Sequence, residues 1–325
     1  MSRHTVHRRF ARGLGGFLLA LVLVTSVGCQ GSSAEVGESY AFVRFLGATG
    51  DEPGQFREPM GIALGPGGEL YVADTRNWRV QVFSPAGDFL RQWGAEGDGP
   101  GEFGMPVDVA VGPDGSVYVS DYELDRVQKF TPEGEFVLAW GSAGEALGQF
   151  EAPAGVFVDS AGNVYVADFY NHRVQIFGPG GATRGAVGSE GHGRGELYYP
   201  TDVALDAAGD LLVADAYNHR IHTLTRAGAT VRDWGGKWAG ALGFGPFEVP
   251  SGVAVDQLGR IHVADSANKR AVLLDAAGEV LSRWQLTDDA QPGVYSPTRV
   301  AAGARYAYFV DTSNDRIVVL EVQQQ

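Results

Sequence analysis

Residues 54–94 read GQFREPMGIALGPGGELYVADTRNWRVQVFSPAGDFLRQWG, and residues 101–141 read GEFGMPVDVAVGPDGSVYVSDYELDRVQKFTPEGEFVLAWG. The same frame returns from Gly148, Gly195, Gly245 and, more degenerate, Gly293. Its opening prolines, Pro59, Pro106, Pro153, Pro200, Pro250 and Pro297, are spaced by 47, 47, 47, 50 and 47 residues. A second set, Asp74, Asp121, Asp168, Asp215, Asp265 and Asp311, runs in step with it, as does Arg79, Arg126, Arg173, Arg220, Arg270 and Arg316. Self-similarity at such a period marks an array of supersecondary units. Each unit carries four short β-rich runs, in the first GIALG, ELYVAD, RVQVF and FLRQWG. The breaks GPGG and SPAGD supply the Gly, Pro and Asp of tight hairpins. Four antiparallel strands in a repeat of this length describe a propeller blade. The expected fold is all-β, a six-bladed β-propeller. Because the sixth unit ends at RIVVLEV without an outer strand, and FVRFLG at 42–47 aligns with FLRQWG, the N-terminal strand is expected to close the last blade and remove two exposed edges.

Units reading P-x-G-[IV]-A-[VL], then YVAD, then N-x-R-[VI]-Q-[VI]-F resemble NHL repeats, with the Asn-His pair present at Asn171-His172 and Asn218-His219. The resemblance covers about residues 40–322. It implies the propeller fold but not one activity, since such propellers serve as lyases, RNA-binding domains, protein-interaction platforms and extracellular sensors.

Composition agrees and narrows the choice. The chain has 325 residues, 47 of them Gly, and a net charge of −14. Its single Cys forms no internal disulfide. Three Lys and an acidic balance oppose nucleic-acid binding, which needs clustered cations. Arg3, Arg8, Arg9 and Arg12 precede the apolar run 13–25, the layout of a secretory signal peptide over 1–28. That run is too short to span a bilayer. Ser26-Val27-Gly28-Cys29 resembles a bacterial lipobox, which implies lipidation at Cys29 and a protein exported and held to the cell membrane or outer membrane by its lipid alone. Removal of 1–28 leaves 21 basic against 39 acidic residues, a charge of −18. Residues 29–39 read as a flexible tether and 323–325 as a tail.

A residue needed in every blade is expected to be structural, so the repeated Asp, Asn and Arg are assigned to hydrogen bonds and ion pairs tying neighbouring turns. Trp93, Trp140, Trp234 and Trp284, and the Phe or Leu before each proline, are expected to pack between blades. His172 and His219 are expected to be turn residues. Function is sought where the repeats differ. Two residues after the proline the blades read Gly61, Asp108, Gly155, Asp202, Gly252 and Arg299. These sit at the channel mouth, which the glycines are expected to keep half open. Asp108, Asp202 and Arg299 are candidates to hold a polar ligand or a divalent cation such as calcium, the alternative being that they pair with one another. Around them the variable loops offer Trp78, Tyr122, Glu123, Phe169, Tyr170 and Tyr217, with Lys237 and Trp238 in the lengthened connection. Aromatics with few charges suit a protein, peptide or glycan partner. The expectation is a monomeric binding or scaffolding propeller. The alternative is a metal-dependent enzyme, lactonase-like or similar to peptidyl-α-hydroxyglycine lyases. In that lyase family histidines after the prolines hold zinc, whereas Met60, Val107, Ala154, Thr201, Ser251 and Thr298 stand here. The remaining histidines, His192, His222 and His262 among them, form no metal-ligand spacing.

Overall fold

The computed structural model describes residues 39–236, 247–285 and 296–323. The signal segment, Cys29 with most of the tether, and Lys237 and Trp238 lie outside the described residues.

Alternation of buried aliphatic and aromatic side chains with hairpin turns gives twenty-four strands in six four-stranded antiparallel sheets. Blade 1 comprises β2 (Pro59–Leu64), β3 (Leu70–Asp74), β4 (Arg79–Phe83) and β5 (Phe89–Trp93). Blades 2 to 5 follow as β6–β9 (106–140), β10–β13 (153–187), β14–β17 (200–235) and β18–β21 (250–284). Blade 6 contains β22 (Pro297–Ala302), β23 (Tyr306–Asp311), β24 (Arg316–Gln323) and, as its outer strand, β1 (Ser39–Leu46). β1 pairs with β24 from Ser39 opposite Gln323 to Leu46 opposite Ile317. The ring is therefore closed by the N-terminal strand, as its alignment with the other outer strands requires.

The core lies in the seams between blades. The residue three before the proline of blades 1 to 5, Phe56, Phe103, Phe150, Leu197 and Phe247, is fully buried there. Burying each such side chain contributes about 1.5–3 kcal/mol. The outer-strand tryptophans also cross seams. Trp93 lies against Phe130 of blade 2, Trp140 against Phe177 of blade 3, and Trp284 stacks on Phe42 of the closing strand. A hairpin glycine admits each indole: a Cβ on Gly134 would stand 2.6 Å from the Trp93 ring, and one on Gly181 2.9 Å from Trp140. β1 has no hairpin, and Tyr40 takes that glycine's place. Its hydroxyl bonds His262 Nδ1 of blade 5 at 2.7 Å, while His262 Nε2 lies 3.2 Å from Asp256, which Arg260 holds at 2.6 Å.

Candidate functional site

Each inner strand begins where its proline pairs with the Asp ending the second strand, as Pro59 does with Asp74. The loops entering the blades and the turns joining second and third strands therefore share one end of the ring, the proline face. One frame builds five of the six turns there, blade 2 having Leu124 at the Asn position and Arg126 Nε 3.9 Å from Asp121. Asp74 accepts the Arg57 N–H at 2.8 Å, Arg79 Nε at 2.7 Å, Asn77 at 2.9 Å and Gln81 at 3.0 Å. Asp168 repeats the set with Glu151, Arg173, Asn171 and Gln175. Each turn ends on a left-handed residue, Trp78, Asp125, His172, His219, Lys269 or Asp315, with φ between 49 and 56°. Four of these accept a backbone N–H from the entry loop of the next blade. Asp315 accepts the Glu58 N–H at 2.6 Å, Asp125 that of Ala152 at 2.8 Å, His172 Nδ1 that of Tyr199 at 3.1 Å and His219 Nδ1 that of Val249 at 3.2 Å. The histidines thus do an aspartate's work, with the proton on Nε2. Burial pushes the His172 pKa down, which keeps that nitrogen free to accept.

Tyr122, Phe169, Tyr170 and Tyr217 converge over blades 2 to 4, and Tyr198 and Tyr199 join them. Phe169 lies 4.9 Å from Tyr170 and 5.0 Å from Tyr199, Tyr199 lies 5.2 Å from Tyr217 and 4.6 Å from Tyr198, and Tyr122 lies 6.4 Å from Tyr170. Several pairs are near perpendicular, 90° for Tyr170 with Tyr199. Tyr217 is 45% exposed and the other rings are half-buried. Burial, then the neighbouring hydroxyls, push the Tyr122 and Tyr199 pKa values up, so the phenols stay neutral. Glu123 and Glu190 stand exposed beside the cluster. Trp78 is drawn elsewhere, its indole donating to Gly104 O at 3.1 Å in the seam between blades 1 and 2. Tyr198 and Tyr199 escape the sequence reading because they precede a proline. The signal is the doubled aromatic: this pair reads Arg57-Glu58, Gly104-Met105, Glu151-Ala152, Glu248-Val249 and Tyr295-Ser296 in the other blades.

The second candidate group meets on the axis. Asp108, Asp202 and Arg299 are all buried. Arg299 Nε lies 3.6 Å from Asp108, and its terminal nitrogens donate to Ser251 O at 2.7 Å and Thr201 O at 2.8 Å. Asp108 accepts the Val156 N–H and Asp202 the Val253 N–H, both at 2.9 Å and both from the following blade. The glycines between them do not keep a mouth open. A Cβ on Gly61 would stand 2.4 Å from Asp108 Cα, one on Gly155 2.6 Å from Asp202 Cα, and one on Gly252 2.8 Å from Arg299 Cα. They are glycine because the next blade's backbone touches them. Burial pushes Asp108 up to about 7, against the pull of Arg299 and helped by the charge of Asp202, which burial also raises. Asp108, Asp202 and Arg299 themselves line a cavity of about 180 Å³, whose other walls include Ile62, Val109, Val156, Val203, Val253 and Val300. The two carboxylates fit a divalent cation poorly: Arg299 already supplies their positive charge, and among the described residues no three His, Cys, Asp or Glu are grouped to ligate a metal.

Comparison with known proteins agrees with the fold. The NHL repeat model matches residues 56–83, 103–130, 150–177 and 197–224. No curated protein matches the chain in sequence. Among solved structures, a protein of unknown function from Bacteroides thetaiotaomicron superposes with a TM-score of 0.65 at 15% identity, covering 88% of this chain and 76% of that one. A gluconolactonase from Xanthomonas campestris gives 0.61 at 14% identity, covering 88% and 97%. A streptogramin B lyase gives 0.60 at 13% identity, covering 90% and 100%. At such identities the likeness is one of fold. The chain carries NHL repeats and folds as a six-bladed β-propeller.

Proposed function

We propose that this protein is an exported, lipid-tethered binding propeller that presents the aromatic surface of blades 2 to 4 to a protein, peptide or glycan ligand in the cell envelope. One observation carries the reading. Six aromatic rings gather over three consecutive blades on a rigid frame, while the equivalent turn positions of blades 1, 5 and 6 are Thr75-Arg76, Ser266-Ala267 and Thr312-Ser313. Tyrosine offers large contact area and a polar tip at small entropic cost, the chemistry of interaction hot spots. The basic and apolar N-terminal run followed by Cys29 supports the tether.

Affinity capture from envelope extract tests the surface, comparing the wild type with a Tyr170→Ala, Tyr217→Ala double variant. The expected ligand is retained by the wild type and lost from the variant; equal retention would move binding elsewhere. Mass spectrometry of the mature N-terminus is expected to find an acylated Cys29, and an unmodified thiol would remove the tether.

A further inference from the structure

We infer that the ligand of the aromatic surface is a basic polypeptide segment, whose Arg or Lys side chains lie over the tyrosine rings inside a rim of carboxylates. The inference rests on the binding reading above and adds the chemistry of the partner. The first support is charge. In the turns and loops of blades 2 to 4, Glu96, Asp98, Glu123, Glu145 and Glu190 are exposed. The arginines of the same turns are already engaged. Arg173 holds Asp168 and the carbonyls of Glu145, Ala146 and Gln149, and Arg220 holds Asp215 and the carbonyls of Gly193 and Glu196. Arg126 likewise donates to the carbonyls of Asp98, Gly99 and Glu102. Among the described residues of these loops only Arg194 remains as a further cation. The exposed carboxylates of these loops thus outnumber that further cation five to one, and a cationic partner supplies the balance.

The second support is the rings. An aromatic face carries negative quadrupolar potential and attracts guanidinium or ammonium groups, most strongly where water is partly excluded. The carboxylate field reaches the same place, because Glu190 acts on both His172 and Tyr199 and Asp125 acts on Tyr122. The near-perpendicular rings present several short faces rather than the single flat platform on which a sugar ring stacks. The third support is length. Tyr122 to Tyr170, Tyr170 to Tyr199 and Tyr199 to Tyr217 are steps of 6.4, 5.8 and 5.2 Å. The shorter route through Phe169, 6.4 Å from Tyr122 and 6.5 Å from Tyr217, bounds the span at about four extended residues, still more than one small cation covers.

The test uses the purified full chain with three fluorescent probes: a ten-residue peptide of alternating Arg and Gly, the same length of alternating Glu and Gly, and a neutral oligosaccharide. The basic peptide is expected to bind at least ten-fold tighter than the acidic one and to weaken at least five-fold between 50 and 500 mM salt, as exposed charges are screened. Tyr217→Ala is expected to weaken it ten-fold and Glu190→Gln about three-fold. Glu321→Gln, on β24 of blade 6, is expected to leave it unchanged. Thermal melting checks that each variant is folded. Equal binding of the acidic peptide, or loss shared by Glu321→Gln, overturns the inference. If only the oligosaccharide binds, and Tyr217→Ala abolishes it, the inference fails while the binding reading stands. If no probe responds to Tyr217→Ala, both fail.

Discussion

The residue after the buried turn aspartate divides the ring into two halves. In blades 5, 6 and 1 it is Ser266, Thr312 and Thr75, and each hydroxyl donates to the first carbonyl of the following blade: Ser266 to Pro297, Thr312 to Pro59 at 2.7 Å, and Thr75 to Pro106 at 2.7 Å. In blades 2, 3 and 4 it is Tyr122, Phe169 and Ala216, with Tyr170 and Tyr217 one place on. There the side chains meet one another instead of clipping the next blade. The backbone hardly notices, since both halves end their turns on a left-handed residue with φ between 49 and 56°. In five of the six blades the turn is thus held by the Asp, Asn and Arg set, which leaves the two following positions for a clip in one half and for aromatic rings in the other.

If the frame is common to both halves, its loss should cost the same in each. Asp74→Ala in the hydroxyl half and Asp168→Ala in the aromatic half each remove the buried carboxylate that holds an arginine and a loop N–H. Breaking such a buried pair by removing one partner costs about 3–5 kcal/mol. Urea denaturation of the two variants measures it. A loss under about 1 kcal/mol in one half would show that its turn is held by something other than the aspartate, and the comparison would collapse.

The halves also show how far a sequence carries. Blade number, strand order and closure by residues 42–47 follow from the repeat alone, because spacing and turn chemistry are local properties that every blade must satisfy. Tyr122, Phe169, Tyr170 and Tyr217 stand out for the converse reason: they break the repeat. Tyr198 and Tyr199 break it too, but in the loop before the proline, and only the fold brings that loop beside the turns of blades 3 and 4. Gly61, Gly155 and Gly252 alternate visibly with charged residues, yet whether a glycine opens a space or admits a neighbour depends on the distance between adjacent blades. Here Cα atoms of the next blade fill that space.

Arg299 joins the halves across the axis, reaching from blade 6 to Asp108 of blade 2 and to the Thr201 carbonyl of blade 4. Its effect is legible in pH. Asp108 titrates near 7 in the folded protein, chiefly through burial, and near 4 when unfolded. A raised folded pKa means that the native state holds the proton more tightly, so the contribution to stability is complete below about pH 4 and is lost as pH rises through about 7. One proton sets a limiting slope of about 1.4 kcal/mol per pH unit. Denaturation midpoints from pH 4 to 8 should fall for the wild type relative to Asp108→Asn. Parallel curves would mean that Arg299 keeps Asp108 ionised throughout, tying the halves by an ion pair.

The smallest effects separate the halves most cleanly, because they set the uses of two adjacent turn positions against each other. Thr75 is buried, so Thr75→Val leaves the Pro106 carbonyl without its hydroxyl donor at nearly constant volume. The expected cost is about 1–2 kcal/mol, the range for an unmet buried polar group. Tyr217 is 45% exposed and caps no carbonyl, and Tyr217→Ala should cost about 0.5 kcal/mol or less, as surface substitutions do. Ligand binding should rank the two in the opposite order, with Thr75→Val unchanged and Tyr217→Ala weakened ten-fold. Were Tyr217→Ala the more destabilising variant, the rings of blades 2 to 4 would be a second way of clipping blades together, and the surface would belong to the fold rather than to a partner.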